Sequence, residues 1–249
     1  MTTAGHRVLA FVLAAVIWAG WAAPADAQAN LSGVWNNFFI FHEDEPDRLP
    51  GPELGDYTGI PVTEAVRLRA DTWDASLITL PEYQCRVHPS DYAPSFAPIR
   101  IWEERDRDSQ QLVAIKIHHF AWGTQRTIWM DGRPHPGPDA MHSAMGFSTG
   151  KWEGNDFVVE TIGIKDNVRF RNAPHSAAMR IHERMRVIDA DHFENDVTVE
   201  DPEYLTGPWS WKWVYQRRPN YKMYEYVCED NREFADPVTG KARLRIDHK

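Results

Sequence analysis

Apolar and polar residues alternate with a period of two over most of the chain beyond Leu31, and each alternating run ends at a turn signal. The runs predict strands over residues 99–104, 111–119, 125–130, 146–152, 157–164, 179–188, 193–199, 209–216 and 221–228. Between them lie Asp131-Gly132, Glu153-Gly154-Asn155-Asp156, Asp189-Ala190-Asp191 and Arg218-Pro219-Asn220, all of the composition that tight turns favour. Short strands joined in sequence this way predict an all-β protein, an antiparallel meander closed as a barrel or folded as a sandwich. Only residues 62–73 break the period. Val62, Val66, Ala70 and Trp73 recur there at helical spacing, which predicts one short helix packed outside the sheet or capping an end. Residues 43–56, rich in proline, glycine and acids, read as a loop.

The first residues change the picture. His6 and Arg7 precede an apolar run from Val8 to Ala23, Pro24 breaks it, and Ala25-Asp26-Ala27 offers a small-x-small cleavage site. The run is short for a membrane span, and no lipoprotein cysteine follows it. The expectation is a signal peptide over 1–27, a single domain over 28–249, a periplasmic or secreted location and no stable membrane anchor. The net charge of −9, with lysines and arginines dispersed, argues against nucleic acid as a partner. The two cysteines, Cys85 and Cys228, are expected to form a disulfide in an oxidising compartment.

Strand alternation sorts the candidate chemistry. Over 179–187 one face carries Met179, Ile181, Glu183, Met185 and Val187, while Arg180, His182, Arg184 and Arg186 form a solvated face. Glu183 is therefore a carboxyl among apolar neighbours. It must be paired, protonated or in use, since burial of a lone charge is costly. A structural ion pair with an arginine such as Arg133 and a proton-transfer role are both open. His119 shares the apolar face of its strand with Val113, Ile115 and Ile117, and an interior imidazole serves either as acid–base group or as a hydrogen-bonded core residue. Arg133 and His135 sit on the stiff segment Asp131-Gly132-Arg133-Pro134-His135-Pro136, a placement that suits substrate contacts at a barrel mouth. Trp209, Trp211, Trp213 and Tyr215 alternate along one face, Trp129 lies elsewhere in the meander, and the chain holds 11 tryptophans. Such a wall lines a pocket for an apolar or aromatic molecule, or else plugs the barrel. No phosphate loop, dinucleotide fingerprint or Gly-x-Ser-x-Gly elbow occurs, and no histidine pair has metal-ligand spacing; a site from His119, His135 and His142 would have to assemble in space. No cofactor is expected.

Leu31-Ser32-Gly33-Val34-Trp35 resembles the Gly-x-Trp opening of lipocalin and calycin barrels, in which the tryptophan closes one barrel end. Much of 128–209 is also similar to a group of secreted bacterial proteins without an assigned activity. The stretches that carry this likeness are Asp131-Gly132-Arg133 with His135-Pro136, Gly150-Lys151-Trp152-Glu153-Gly154, His175-Ser176, Glu183-Arg184, Asp201-Pro202 and Pro208-Trp209. The resemblance implies one lipocalin-like domain and supplies no reaction. The expectation is an enzyme acting on a small apolar or aromatic molecule by cofactor-independent acid–base chemistry, of lyase, hydratase or isomerase type. Glu183 would move the proton, with His119 or His135 as its partner. Arg133 would orient it, and Trp129, Trp209, Trp211, Trp213 and Tyr215 would bind the ligand. A non-catalytic carrier and an envelope interaction module are the alternatives.

Overall fold

A computed structural model describes residues 29–37, 60–71, 85, 87, 89–90, 98–165, 175–227, 233–235, 237–238 and 242–244. Strands β1 (Gly33–Asn37), β2 (Ile99–Arg105), β3 (Leu112–His119), β4 (Thr124–Trp129), β5 (Phe147–Glu153), β6 (Asp156–Ile162), β7 (Arg180–Val187), β8 (His192–Glu200) and β9 (Trp209–Arg217) close into one barrel. Closure is made by β1 and β9, which set Trp35 opposite Arg217 and Asn37 opposite Tyr215. The one α-helix among the described residues, α1 (Glu64–Asp71), starts later than the pattern predicts, and Val62 ahead of it forms a bridge to Leu205 instead. Val62 and Val66 are buried, so the helix rests on the β8–β9 connection at one end of the barrel. A separate two-stranded sheet pairs β10 (Glu233–Ala235) with β11 (Ala242–Leu244).

The register makes the two barrel ends unlike. The β2–β3, β5–β6 and β7–β8 turns lie at the end where Trp35 sits. They are tight, with Gly154 at φ +62° turning β5 into β6. The strand ends joined by the longer β1–β2, β6–β7 and β8–β9 connections all lie at the opposite end, termed the open end. Trp35 closes the first end: it is fully buried, its indole N–H donates to Leu31 O (2.8 Å), and the Arg217 guanidinium lies 4.1 Å above its ring. Arg217 is held there by donating to Ser32 O (2.9 Å) and Ala190 O (2.9 Å). Gly33, at φ +140°, leaves room for it, because a Cβ at that position would stand 2.7 Å from Arg217 Nη1.

Alternation is obeyed along the wall. Ile99, Ile101, Ile115, Ile117, Ile128, Phe157, Val159, Ile181, Met185, Phe193, Val197 and Tyr215 point inward and form the core. Gly150 also faces inward, and the space its missing side chain leaves is taken by the Phe157 ring and Ile128. The outer face carries cross-strand charge pairs: Asp156 accepts from Arg184 and Arg186, and Glu194 accepts from Lys212. These exposed pairs contribute little each, on the order of 0–1 kcal/mol.

Two expectations are corrected. The barrel is not antiparallel throughout: β4 and β5 pair in parallel, Ile128 beside Ser148 and Trp129 beside Thr149. Parallel neighbours need a long crossover. Residues 130–146, stiffened by Pro134, Pro136 and Pro138, provide it along the outer wall, fastened by the Ser143–Ile164 bridge. The strand expected over 221–228 is also absent from 221–227, since a barrel already closed by β1 and β9 has no edge left to pair with. Cys228 lies outside the described residues, as does the signal segment 1–27. Cys85 occupies a turn, and no free cysteine occurs among the described residues.

Candidate functional site

Inward alternation on β4 to β8 gathers a polar cluster across the middle of an otherwise apolar barrel. Arg126 of β4 shares the inner face with Ile128 and is 1% exposed. It forms a salt bridge through Nη2 with Glu183 Oε2, and neither side chain reaches solvent. The same nitrogen donates to Thr161 Oγ1 (2.6 Å), and Arg126 Nε donates to Ser148 Oγ (3.0 Å). Asn195 Nδ2 completes the carboxylate by donating to Glu183 Oε1 (3.0 Å). The Ser148 and Thr161 hydroxyls are themselves 2.8 Å apart and hydrogen-bonded. Each charge in this belt is thus met by an opposite charge and by neutral dipoles, the condition under which buried charge is tolerated.

Aromatic rings occupy the interior on both sides of the belt. Towards the closed end, Tyr215 stacks on Phe193 (4.5 Å between centroids, 10°), and Phe193 meets Trp35 edge-on at 4.7 Å. Burial, reinforced by the charge of Glu183, pushes the Tyr215 hydroxyl pKa well up. Towards the open end, Trp209, Trp211 and Trp213 follow one another along β9 at 4.6 and 6.3 Å. Trp213 is buried, whereas Trp209 and Trp211 are half-buried.

His119, the last residue of β3, is 1% exposed. Its pKa is pushed down to about 3, first by burial, then by the charges of Arg126 and His118. The imidazole is therefore neutral at ordinary pH. Neither ring nitrogen has a hydrogen-bond partner among the described residues. Thr124 Oγ1, on the strand partner facing His119, and Asn195 Oδ1 lack partners as well.

The structure separates the residues that the sequence grouped. Glu183 and His119 are interior, together with Trp209, Trp211, Trp213 and Tyr215. Arg133 and His135 are on the outer wall, carried there by the crossover. His135 Nε2 is 2.8 Å from Thr149 Oγ1, and its ring meets Phe147 edge-on. Arg133 is paired with Asp131 and lies 3.5 Å over the Trp129 ring. Trp129 faces outward because Arg126 and Ile128 take the inner positions of β4, so it is not part of the interior wall. The arginine paired with Glu183 is Arg126, not Arg133. His142 contacts Ile164 O (3.2 Å), far from a common centre with His119 and His135, and no group of three metal-ligating side chains occurs among the described residues.

Arg126, Ser148, Thr161 and Asn195 were legible as inward positions by the same alternation that placed Glu183. The motif residues Ser176 and Asp201 also find a role. Asp201 accepts from Ser176 N (2.7 Å) and Ser176 Oγ (2.7 Å), tying the β6–β7 and β8–β9 connections together at the open end. A serine hydroxyl spent on a carboxylate in this way braces a loop and is not a nucleophile poised against a base.

Two clefts formed by described residues lie outside the interior. One of about 690 Å³ is bounded by Gly33, Val34, Arg100, Arg217 and Lys222 at the closed end, and one of about 360 Å³ by Arg180, Asp201, Leu205 and Thr206 at the open end. No protein-family model, curated protein or solved structure matches the chain.

Proposed function

We propose that this protein is a lipocalin-like carrier or scavenger of a small aromatic molecule, exported to the periplasm, and that the ligand enters the barrel at its open end against Trp209, Trp211 and Trp213. The observation that carries this reading is the tryptophan row, buried at Trp213 and half-buried at Trp209 and Trp211, beside Asn195 of the polar belt. Trp35 behind Gly33 at the opposite end supports the lipocalin-like assignment, because it plugs the barrel floor as the Gly-x-Trp resemblance implies.

The acid–base enzyme is the weaker reading. Both oxygens of Glu183 are occupied by Arg126 and Asn195, and a neutral His119 hydrogen-bonded to neither has no proton relay with it. General acid–base catalysis needs a group within hydrogen-bond reach of the reacting proton, and here the carboxylate would first have to leave its arginine. Binding asks for no such release.

Titration with 1-aminoanthracene, read by probe fluorescence and tryptophan quenching, tests the proposal. The mature protein, whose mass should begin at Gln28, binds it. Trp209→Ala with Trp211→Ala weakens binding by roughly tenfold or more, the loss expected when two aromatic contacts of about 0.5–1.5 kcal/mol each are removed. No binding by the wild type, or unchanged binding by the double variant, overturns the reading.

A further inference from the structure

We propose that His119 is the polar anchor of this interior site and selects a ligand carrying a neutral hydroxyl group on its aromatic body. The inference rests on the carrier reading above and adds the chemistry of the ligand.

The guanidinium, the carboxylate and the two hydroxyls of the belt are satisfied closely by one another. Arg126, Ser148, Thr161 and Glu183 are joined by hydrogen bonds within 3.0 Å. Against that background His119 stands out, since both nitrogens of a side chain 1% exposed are unmatched. A buried polar group left without a partner costs on the order of 1–3 kcal/mol, so an unmatched imidazole is a place where a partner gains most. Asn195 Oδ1 and Thr124 Oγ1 add further open valences on the inner wall. A neutral imidazole offers one donor and one acceptor, and a carboxamide oxygen only accepts. The group that complements this set both donates and accepts, which a hydroxyl does.

Charge narrows the choice. Arg126 lies close enough to His119 to disfavour a positive charge on the ring, and a cationic ligand would meet the same repulsion. An anionic ligand gains little, because Glu183 already neutralises Arg126, and it would still lose its hydration on entering the barrel. Naphthalene, 2-naphthol and 2-naphthoate therefore separate the possibilities on one ring system.

The experiment measures affinity of the wild type and of His119→Leu for the three compounds at pH 7. The wild type should bind 2-naphthol at least about tenfold more tightly than naphthalene, since one hydrogen bond relieving an unmatched group is worth about that factor. It should bind 2-naphthoate less tightly than 2-naphthol. In His119→Leu the preference for 2-naphthol should fall to within about twofold while naphthalene still binds. Because a variant in the core can fold poorly, ¹⁵N imidazole shifts of the wild type provide a second reading, and the His119 resonances should move with 2-naphthol and not with naphthalene.

Equal affinity of the wild type for naphthalene and 2-naphthol means that water suffices for His119, and overturns the anchor alone. Tightest binding of 2-naphthoate, or a hydroxyl preference that survives in His119→Leu, overturns it too. Failure of all three compounds to bind the wild type removes the carrier reading and the anchor together.

Discussion

Replacing Glu183 by glutamine removes one charge from the barrel interior and almost no volume. The structure gives the consequence. Arg126 and Glu183 side chains are 1% and 3% exposed, so the guanidinium left behind has neither a counter-ion nor water. The amide keeps an oxygen for one donor but turns an NH2 towards either Arg126 or Asn195, whose NH2 group already donates to that carboxylate. Breaking a buried pair by deleting one partner costs about 3–5 kcal/mol. For a chain of this size each kcal/mol lowers Tm by about 2–4 °C, so Glu183→Gln should melt roughly 6–20 °C below the wild type. Far-UV circular dichroism melts and urea titration measure it.

A second substitution separates charge from packing. Arg126→Met combined with Glu183→Leu removes both charges and keeps the volume, and such exchanges are often neutral or stabilising. Here recovery should be incomplete, because Ser148, Thr161 and Asn195 each lose a partner at about 1 kcal/mol apiece. The double variant should still melt above Glu183→Gln. If Glu183→Gln melts within about 2 °C of the wild type, less than a 1 kcal/mol loss would produce, the pair does not hold the barrel. The carboxyl would then be free for the proton-transfer role, with the 10²–10⁴-fold loss of turnover that role entails.

Acid should destabilise the protein through His119. Its pKa is 6.5 unfolded and about 3 folded, so the unfolded state binds the extra proton and stability falls as pH drops from about 6.5 towards 3, by up to about 1.4 kcal/mol per unit. Urea midpoints at pH 7 and pH 5 should converge less in the wild type than in His119→Leu, and equal falls in both proteins would refute the assignment. Gly33→Ala should lower stability by about 1–3 kcal/mol, since it strains a positive φ and drives a methyl into Arg217; an unchanged melt would show that the plug at Trp35 tolerates displacement. A Cys85–Cys228 disulfide, the expectation from the sequence, predicts no titratable thiol in the unfolded, unreduced protein and a cost of at most about 5 kcal/mol on reduction; two titrating thiols would disprove it.

The strand order was legible because each run had a clear period and a turn to end it. Asp131-Gly132 misled for the same reason. A turn signal there reads as a hairpin, yet residues 130–146 cross the outer wall and return β5 parallel to β4. Sequence alternation cannot tell a hairpin from a crossover when both begin with a tight turn. Residues 221–227 have the aromatic composition of a strand, but such a pattern reports only which side of a sheet a residue would face, not whether an edge exists. The same limit explains the site. Glu183 and His119 were found because they interrupt apolar faces, whereas Arg133 and His135 were grouped with them on loop chemistry, which carries no information about the side of the wall. Arg126 was equally visible beside Ile128, as a basic residue on an inward face, and matching it to Glu183 would have needed the strand pairing.

The stretches on which the sequence resemblance rests have a physical content in the structure, and most of it is architectural. Gly150 makes space for Phe157, Asp131 holds the Arg133 fork over Trp129, and Asp201 braces Ser176 at the open end. Glu183 neutralises Arg126 in the middle of the barrel. A motif built of such residues fixes a shape and leaves its use to the positions it does not include. Those positions are His119, Thr124, Trp211 and Trp213, with Trp209 the one motif residue on the same row. Swapping these inner residues should change what the barrel holds, whereas changing the motif residues should change whether it stands. A variant with Thr124→Val and Trp211→Phe is therefore expected to keep its melting temperature within a few degrees, because neither change removes a buried charge or more than a few atoms. The same variant should lose affinity for 1-aminoanthracene. A fall in stability with binding intact would reverse the division between frame and site.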